Sequence, residues 1–240
     1  MVFGVRYAVT DLDEAAKGFV KGITALSGKY ICFSNVHTLV TAIENRVYRK
    51  ALNGAAVTFP DGEPVAGRLR ARGNARARRI AGPDFMKKVL QETSDGSVKH
   101  FFYGSTKHTL KRLVKKIKME YPNISIVGAV SPPFRNLSEK EDHKVREKIN
   151  NSGADIIWIG LGAPNQELFM ALHAGLYGGV MLGVGAAFDF LSGTKKRAPV
   201  LMRKLHMEWL HRMLSEPGRL VGRYFVTNTK FLWYCLTRRY

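Results

Sequence analysis

Residues 154–176 read ADIIWIGLGAPNQELFMALHAGL, and they constrain the fold more tightly than any other stretch of the chain. Ile156, Ile157, Trp158 and Ile159 form an apolar run of strand composition, and Gly160 and Gly162 punctuate it. Pro164 and Asn165 then make a turn. From Gln166 the spacing is helical and predicts an inward face of Leu168, Phe169, Leu172 and Leu176. Pro164 stands where a first helical turn tolerates a missing N–H. A strand, a glycine loop and a helix in this order present free backbone N–H groups and a positive helix end to an anion. Gly160-x-Gly162 lacks the third glycine of a dinucleotide fingerprint, because Asn165 stands there, and no acidic residue follows at the expected distance. From these residues alone, a tight turn and a phosphate loop fit equally.

The same alternation recurs along the chain. Tyr30–Ser34 reads as a buried strand, and Asn35 opens a helix through Ile43. Residues 55–59 form another strand that runs into Pro60-Asp61-Gly62-Glu63-Pro64. His100–Tyr103 leads to a second strand-to-glycine junction at Gly104, followed by a basic helix over 106–120. Ile124–Val127 predicts a strand that ends at Gly128, and Ser138 with Glu141 caps a helix through Ile149. Val180–Val184 is one more buried strand. Strands alternating with helices imply an α/β, Rossmann-like fold with a mostly parallel sheet flanked by helices. Its ligand site is expected along the carboxyl edge of that sheet. The period-two spacing of Arg68, Arg70 and Arg72 suggests an exposed edge or loop.

Charge narrows the partners. A formal net charge of +19 at pH 7 over 240 residues points to nucleic acid, an anionic membrane surface or phosphorylated substrates. No helix-turn-helix, zinc or RNA-binding signature supports nucleic acid, and the arginines at 68–79 lack interleaved aromatics. Nucleic-acid binding stays as the alternative reading. The two cysteines, Cys32 and Cys235, lack metal-type spacing and fit a reducing cytosol. The first residues carry no basic-then-apolar secretory pattern, and the most apolar stretch, 176–188, is well short of the roughly 20 residues that span a bilayer.

The string GLGAPNQE resembles the G-x-P-x-Q-E signature of the WecG/TagA/CpsF family of bacterial glycosyltransferases. The resemblance extends to the P-D-G at 60–62, to R-I-A-G-P-D at 79–84, to G-V-G-A-A-F-D-F at 183–190 with R-A-P at 197–199, and to the E-W-L-x-R…E-P-x-R…R-Y tail at 208–224. One loop departs from the pattern: Ser131-Pro132-Pro133-Phe134 stands where the family has a glycine–aromatic pair. Such enzymes move a sugar from a nucleotide-sugar donor to a polyprenyl-diphosphate-linked acceptor at the cytoplasmic membrane face. The resemblance therefore implies an inverting, metal-independent hexosyltransferase that uses a UDP-sugar in cell-surface polysaccharide synthesis. It implies no cofactor and leaves a homo-oligomer open.

Within that resemblance Asp61 is the catalytic base, the right group to take a proton from an attacking hydroxyl. Ser34 and Asn35 match a T-x-N-like segment and are also simple capping residues. Gly104, Gly162, Pro164, Gln166 and Glu167 are expected to line the substrate site, and Asp189 either orients ligand hydroxyls or pairs locally. Arg79, Arg197, Arg212, Arg219 and Arg223 are the expected contacts to substrate, with Arg79, Arg197 and Arg212 offsetting charge on the departing diphosphate. Asp11-x-Asp13 has the D-x-D form of a metal–diphosphate site, but capping of the helix that carries Ala15, Phe19 and Ile23 explains it better. His37 has no partner residues nearby and reads as a surface or cap histidine.

We expect a catalytic core over 1–194 and a basic, aromatic appendage over 195–240. That tail carries eleven Lys and Arg against Glu208 and Glu216, a balance of +9, with seven aromatics from Trp209 to Tyr240 among the bases. Basic residues mixed with Trp and Leu suit the interface of an anionic bilayer. The expected location is cytoplasmic, peripheral on the inner face of the cell membrane.

Overall fold

The computed structural model describes residues 1–205 and 207–237, the side chains of Lys204 and Arg219 excepted. The chain opens with α1 (Leu12–Lys21), β1 (Tyr30–Ser34), α2 (Val36–Glu44), α3 (Arg46–Gly54) and β2 (Val57–Pro60). It continues through α4 (Glu63–Ala71), α5 (Gly82–Glu92), β3 (Lys99–Gly104), α6 (Lys107–Glu120) and β4 (Ser125–Val130). Then follow α7 (Glu139–Asn151), β5 (Ile156–Gly160), α8 (Asn165–Leu172), β6 (Val180–Gly183) and α9 (Ala187–Ser192). The tail forms α10 (Val200–Lys204), α11 (Glu208–Ser215) and α12 (Pro217–Thr237).

The six strands make one sheet in the order β2-β1-β6-β5-β3-β4, and every pairing is parallel. It is an α/β, Rossmann-like sheet with helices on both faces, as the alternation of elements implied. Side chains alternate between the faces: Ile157 and Ile159 join a core with α2, α3, α7 and α8, whereas Ile156 and Trp158 join one with α1, α5, α6 and α9. Trp158 is fully buried, and its indole donates to His100 Nδ1 at 3.1 Å. Because all strands run the same way, their carboxyl ends share one edge. There β1 and β6, neighbours in space with paired residues 151 positions apart, bring the loops after Ser34 and Gly183 together.

Three local expectations change. Arg68 and Arg70 lie in α4, because Pro64 sits in the first turn and Val65, Ala66 and Leu69 supply a buried face. β4 runs through Gly128 rather than ending there; the Phe101 ring of β3 occupies the space a Cβ would fill, and the register shifts between His100 and Phe101. Of the expected face of α8 only Phe169 packs on the core, stacked on Tyr103 at 5.2 Å. Gln166, Glu167 and Met170 point inward, while Leu168, Leu172 and the following Leu176 are exposed, Leu172 by 76%.

The tail packs on the core. Along α12, Leu220, Thr227 and Phe231 are buried, and Phe231 meets Phe3 edge-on at 6.3 Å. Glu44 of α2 accepts from Lys230 at 2.7 Å and from the Tyr234 hydroxyl at 3.1 Å. Thus α12 lies across α2, and the tail roofs the carboxyl edge of β1 and β2.

Candidate active site

Asp61 directly follows β2, and its N–H donates to the carbonyl of Ser34 at the end of β1 (3.0 Å), locking the two strand ends together. Asn35 caps α2, accepting from Thr38 N–H at 3.2 Å. Ser34 is fully buried between the hydroxyls of Tyr7 (2.8 Å) and Thr38 (2.9 Å), so it braces the loop from behind.

A cavity of about 670 Å³ opens under the tail and joins these residues to the loops after β5 and β6. Asn35, Asp61, Gly162, Gln166, Asp189, Arg212 and Arg223 all line it. The carboxylate after β2 and the mouth of α8, separated by about a hundred residues of chain, therefore share one cleft. A second cavity of about 400 Å³ shares Asn35, Asp61 and Arg212 with the first and adds Arg79.

Glu167, Gly104 and Pro164 are not among the residues that line either cavity. Glu167 is fully buried beside the Tyr48 hydroxyl, and burial pushes its carboxyl pKa upward. Gly104 has φ +126° and packs so closely on Gly160 that a Cβ has no room; its task is backbone approach between β3 and β5. Pro164 is the N-cap of α8. Arg219 side-chain placement falls outside the described residues.

Gln166 is a tie as much as a wall. Its Nε2 donates to the Gly183 carbonyl (2.9 Å) and to Glu167 (2.8 Å), while its Oε1 accepts from Gly162 N–H (3.2 Å). One amide thus fixes the glycine loop after β5 to the end of β6. A Cβ at Gly183 would lie 2.6 Å from Met170 Cε and 3.2 Å from Gln166 Nε2, so glycine leaves both side chains room to pack against the end of β6.

The arginines divide into paired and unpaired. Arg197 grips Asp84 through two nitrogens, at 2.6 and 2.8 Å, and donates to Glu208 at 2.9 Å. Arg79 reaches the other oxygen of Glu208 at 2.8 Å and donates from Nε to the Asp61 carbonyl at 3.3 Å. Arg197, expected at the diphosphate, lines neither cavity, and two carboxylates take up its charge. By contrast Arg212, Arg223 and Lys196 line the larger cavity and have no carboxylate partner among the described residues. Arg212 stacks over the Phe190 ring at 5.7 Å.

Burial raises the Asp61 pKa from 3.8 to about 6, with Glu208 and Asp84 adding to the rise and Arg79 and Arg212 opposing it. A carboxyl poised there is ionised at neutral pH and basic enough to accept a proton.

His37, expected to be a cap or surface residue, lines both cavities. Its Nδ1 is buried without a hydrogen-bond partner, and burial, then Arg223, hold its pKa down. Position was the available signal, since it is the second residue of a helix that starts at a strand's carboxyl end. Lys195, Lys196, His211 and Tyr224 also line the larger cavity. Asp189 pairs with Lys195 at 3.6 Å, and Lys195 also reaches Glu216 at 2.8 Å.

The D-x-D segment is taken up locally: Asp11 accepts from Glu14 N–H at 2.9 Å as the cap of α1, and Asp13 pairs with Lys88 at 2.7 Å. Among the described residues, no three His, Cys, Asp or Glu side chains converge as an ion site.

The profile of the WecG/TagA/CpsF glycosyl transferase family matches residues 1–240. Two Bacillus proteins align over 193 residues, which is 80% of this chain and 73% of each of theirs. They are 32% (Bacillus spizizenii) and 33% (Bacillus subtilis strain 168) identical to it, and both are named N-acetylglucosaminyldiphosphoundecaprenol N-acetyl-beta-D-mannosaminyltransferase. With a family match over its whole length and relatives at this identity, the chain belongs to the WecG/TagA/CpsF family of glycosyltransferases.

Proposed function

We propose that the protein moves an N-acetylhexosamine-type sugar, with inversion, from a nucleoside-diphosphate sugar to a saccharide carried on a polyprenyl diphosphate. The names of the Bacillus relatives support the acceptor class and a β-linked product. The observation that carries the reading is the position of Asp61, a half-buried carboxylate at the junction of a cation-lined cavity and a second, more apolar one.

In this reading the donor occupies the larger cavity, with its diphosphate against the N–H groups at the mouth of α8 and the unpaired cations Arg212, Arg223 and Lys196. The acceptor hydroxyl lies beside Asp61. Its oxygen attacks the anomeric carbon from the face opposite the diphosphate while its proton passes to the Asp61 carboxylate. The new glycosidic bond forms as the bond to the diphosphate breaks, and the nucleoside diphosphate leaves with that electron pair. Fixed arginines and lysines, rather than a metal ion, offset the charge it carries away. His37, with an unsatisfied Nδ1, is placed to hydrogen-bond a sugar hydroxyl.

The protein would work peripherally on the cytoplasmic face of the membrane, with residues 195–240 as the attaching appendage. No described helix is long and apolar enough to cross a membrane, so attachment falls to surface groups. Asp61→Asn tests the chemistry. Transfer should fall by about a thousandfold or more, as for loss of a general base, while thermal stabilisation by the donor persists. Turnover retained within tenfold would remove Asp61 as the base.

A further inference from the structure

The smaller cavity differs in chemistry from the larger one. Its polar groups, Asn35, His37 and Arg212 among them, gather on the side of Asp61, and its apolar wall is Pro64 and Pro83 on the core side with Trp209, Phe231 and Leu232 from the tail. The prolines have no N–H to offer, and of the charged groups at its margin Arg79 and Glu208 satisfy each other at 2.8 Å and Glu63 pairs with Arg70, which leaves Arg212 beside Asp61. Against that apolar wall a peptide or a second sugar would find few hydrogen bonds; a hydrocarbon needs none.

The wall does not stop at the cavity. On α12, Val221, Phe225, Leu232 and Leu236 are exposed at spacings of four, seven and four residues, which puts them on one stripe. The buried residues Leu220, Thr227 and Phe231 define the opposite, core-facing side. Leu232 belongs to both surfaces: it is 62% exposed in the stripe and also lines the cavity. A continuous apolar track therefore runs from the outer face of α12, over Leu232, to the carboxylate. Arg212, common to both cavities, has no carboxylate partner among the described residues and supplies charge for a diphosphate near Asp61.

We infer that this cavity seats the first isoprenoid units of a prenyl-diphosphate acceptor, which enter over Leu232 from the stripe on α12. The inference rests on the proposed transfer to a lipid-linked saccharide and adds where the lipid lies and which residues read it.

The test needs no membrane. The full chain is assayed with two water-soluble acceptors bearing the same saccharide diphosphate, one ending in a farnesyl chain and one in an ethyl group. KM for the farnesyl acceptor should be lower by about tenfold or more, the modest gain from taking a few carbons out of water. Leu232→Arg and Trp209→Ser should bring that ratio close to one while donor-induced thermal stabilisation persists. Farnesyl diphosphate alone should change the tryptophan fluorescence of the protein, inorganic diphosphate should not, and Leu232→Arg should abolish the response.

Transfer with no chain-length preference, or a preference that survives both substitutions, overturns the lipid seat and leaves the transferase reading standing. Farnesyl diphosphate binding without transfer to either acceptor does the reverse. A concentration-dependent dimer broken by Leu232→Arg, with no chain-length preference, would assign the wall to a second copy of the chain and overturn the inference.

Discussion

Asp61 owes its raised pKa first to burial beneath the tail, and two measurable consequences have opposite signs. For catalysis the base must be ionised, so kcat/KM should rise with pH through about 6 and level above it. A pH profile flat to pH 4.5 would remove Asp61 from that role. For stability the folded pKa lies above the unfolded value of 3.8, so the fold favours the protonated form. Stability is then lost as pH climbs from about 4 through about 6, and the ionised group costs roughly 3 kcal/mol at pH 7. Asp61→Asn should therefore raise the urea midpoint at pH 7 and leave it nearly unchanged at pH 4. Equal shifts at both values would contradict this. The sequence shows the carboxylate and its flanking turn, because P-D-G after a strand is local. It does not show which arginines stay free. Arg197 and Arg212 look alike in a string of letters, and only the positions of Asp84 and Glu208 separate a paired guanidinium from an available one.

At the scale of elements, α8 shows why periodicity has limits. The spacing of Leu168, Leu172 and Leu176 is truly helical, yet those residues face out and Gln166 and Glu167 face in. A helix of 8 residues does not bury enough surface to choose its own face; the amide network from Gln166 to Gly162 and Gly183 chooses it. The tail helices depend on a similar polar contact. Glu208 joins Arg79 of the core to Arg197, with its side chain only 11% exposed. Glu208→Ala leaves two guanidinium groups short of a partner, a loss on the order of 3 kcal/mol. The tail should then open more often, and limited trypsin should cut within 195–212 at least about tenfold faster than in the wild type. Unchanged cleavage would show that the tail is held without Glu208, by the apolar packing of α12 and its remaining polar ties.

At the scale of the whole molecule, the charge of +19 is unevenly used. The arginine run at 68–79, which alone suggests a nucleic-acid patch, is partly spent inside the protein. Arg70 pairs with Glu63, Arg76 with Glu14 at 3.2 Å and Arg79 with Glu208, and Arg68 lies over Phe3 at 5.8 Å. On the tail, Arg223 faces the larger cavity and Lys230 pairs with Glu44, while α12 exposes its apolar stripe to solvent. The protein should bind phosphatidylglycerol vesicles with an affinity that falls as salt rises. Phe225→Ser with Leu236→Ser should cut binding by about tenfold or more, since both side chains would otherwise leave water. Salt-independent binding, or binding unaffected by the pair, would contradict a surface held by bases and apolar side chains together.

What the sequence determined by itself was local: strands from apolar runs, helix starts from caps, loop positions from glycine and proline, and the family from motifs whose residues lie close together. Parallel pairing of β1 with β6 was not written in any local stretch, nor was the burial of Gln166 and Glu167, the neutralisation of Arg197, or the meeting of two cavities at Asp61. Those depend on contacts between segments far apart in the chain, and whether a charge is free or a face is buried is fixed only by what the rest of the fold lays against it.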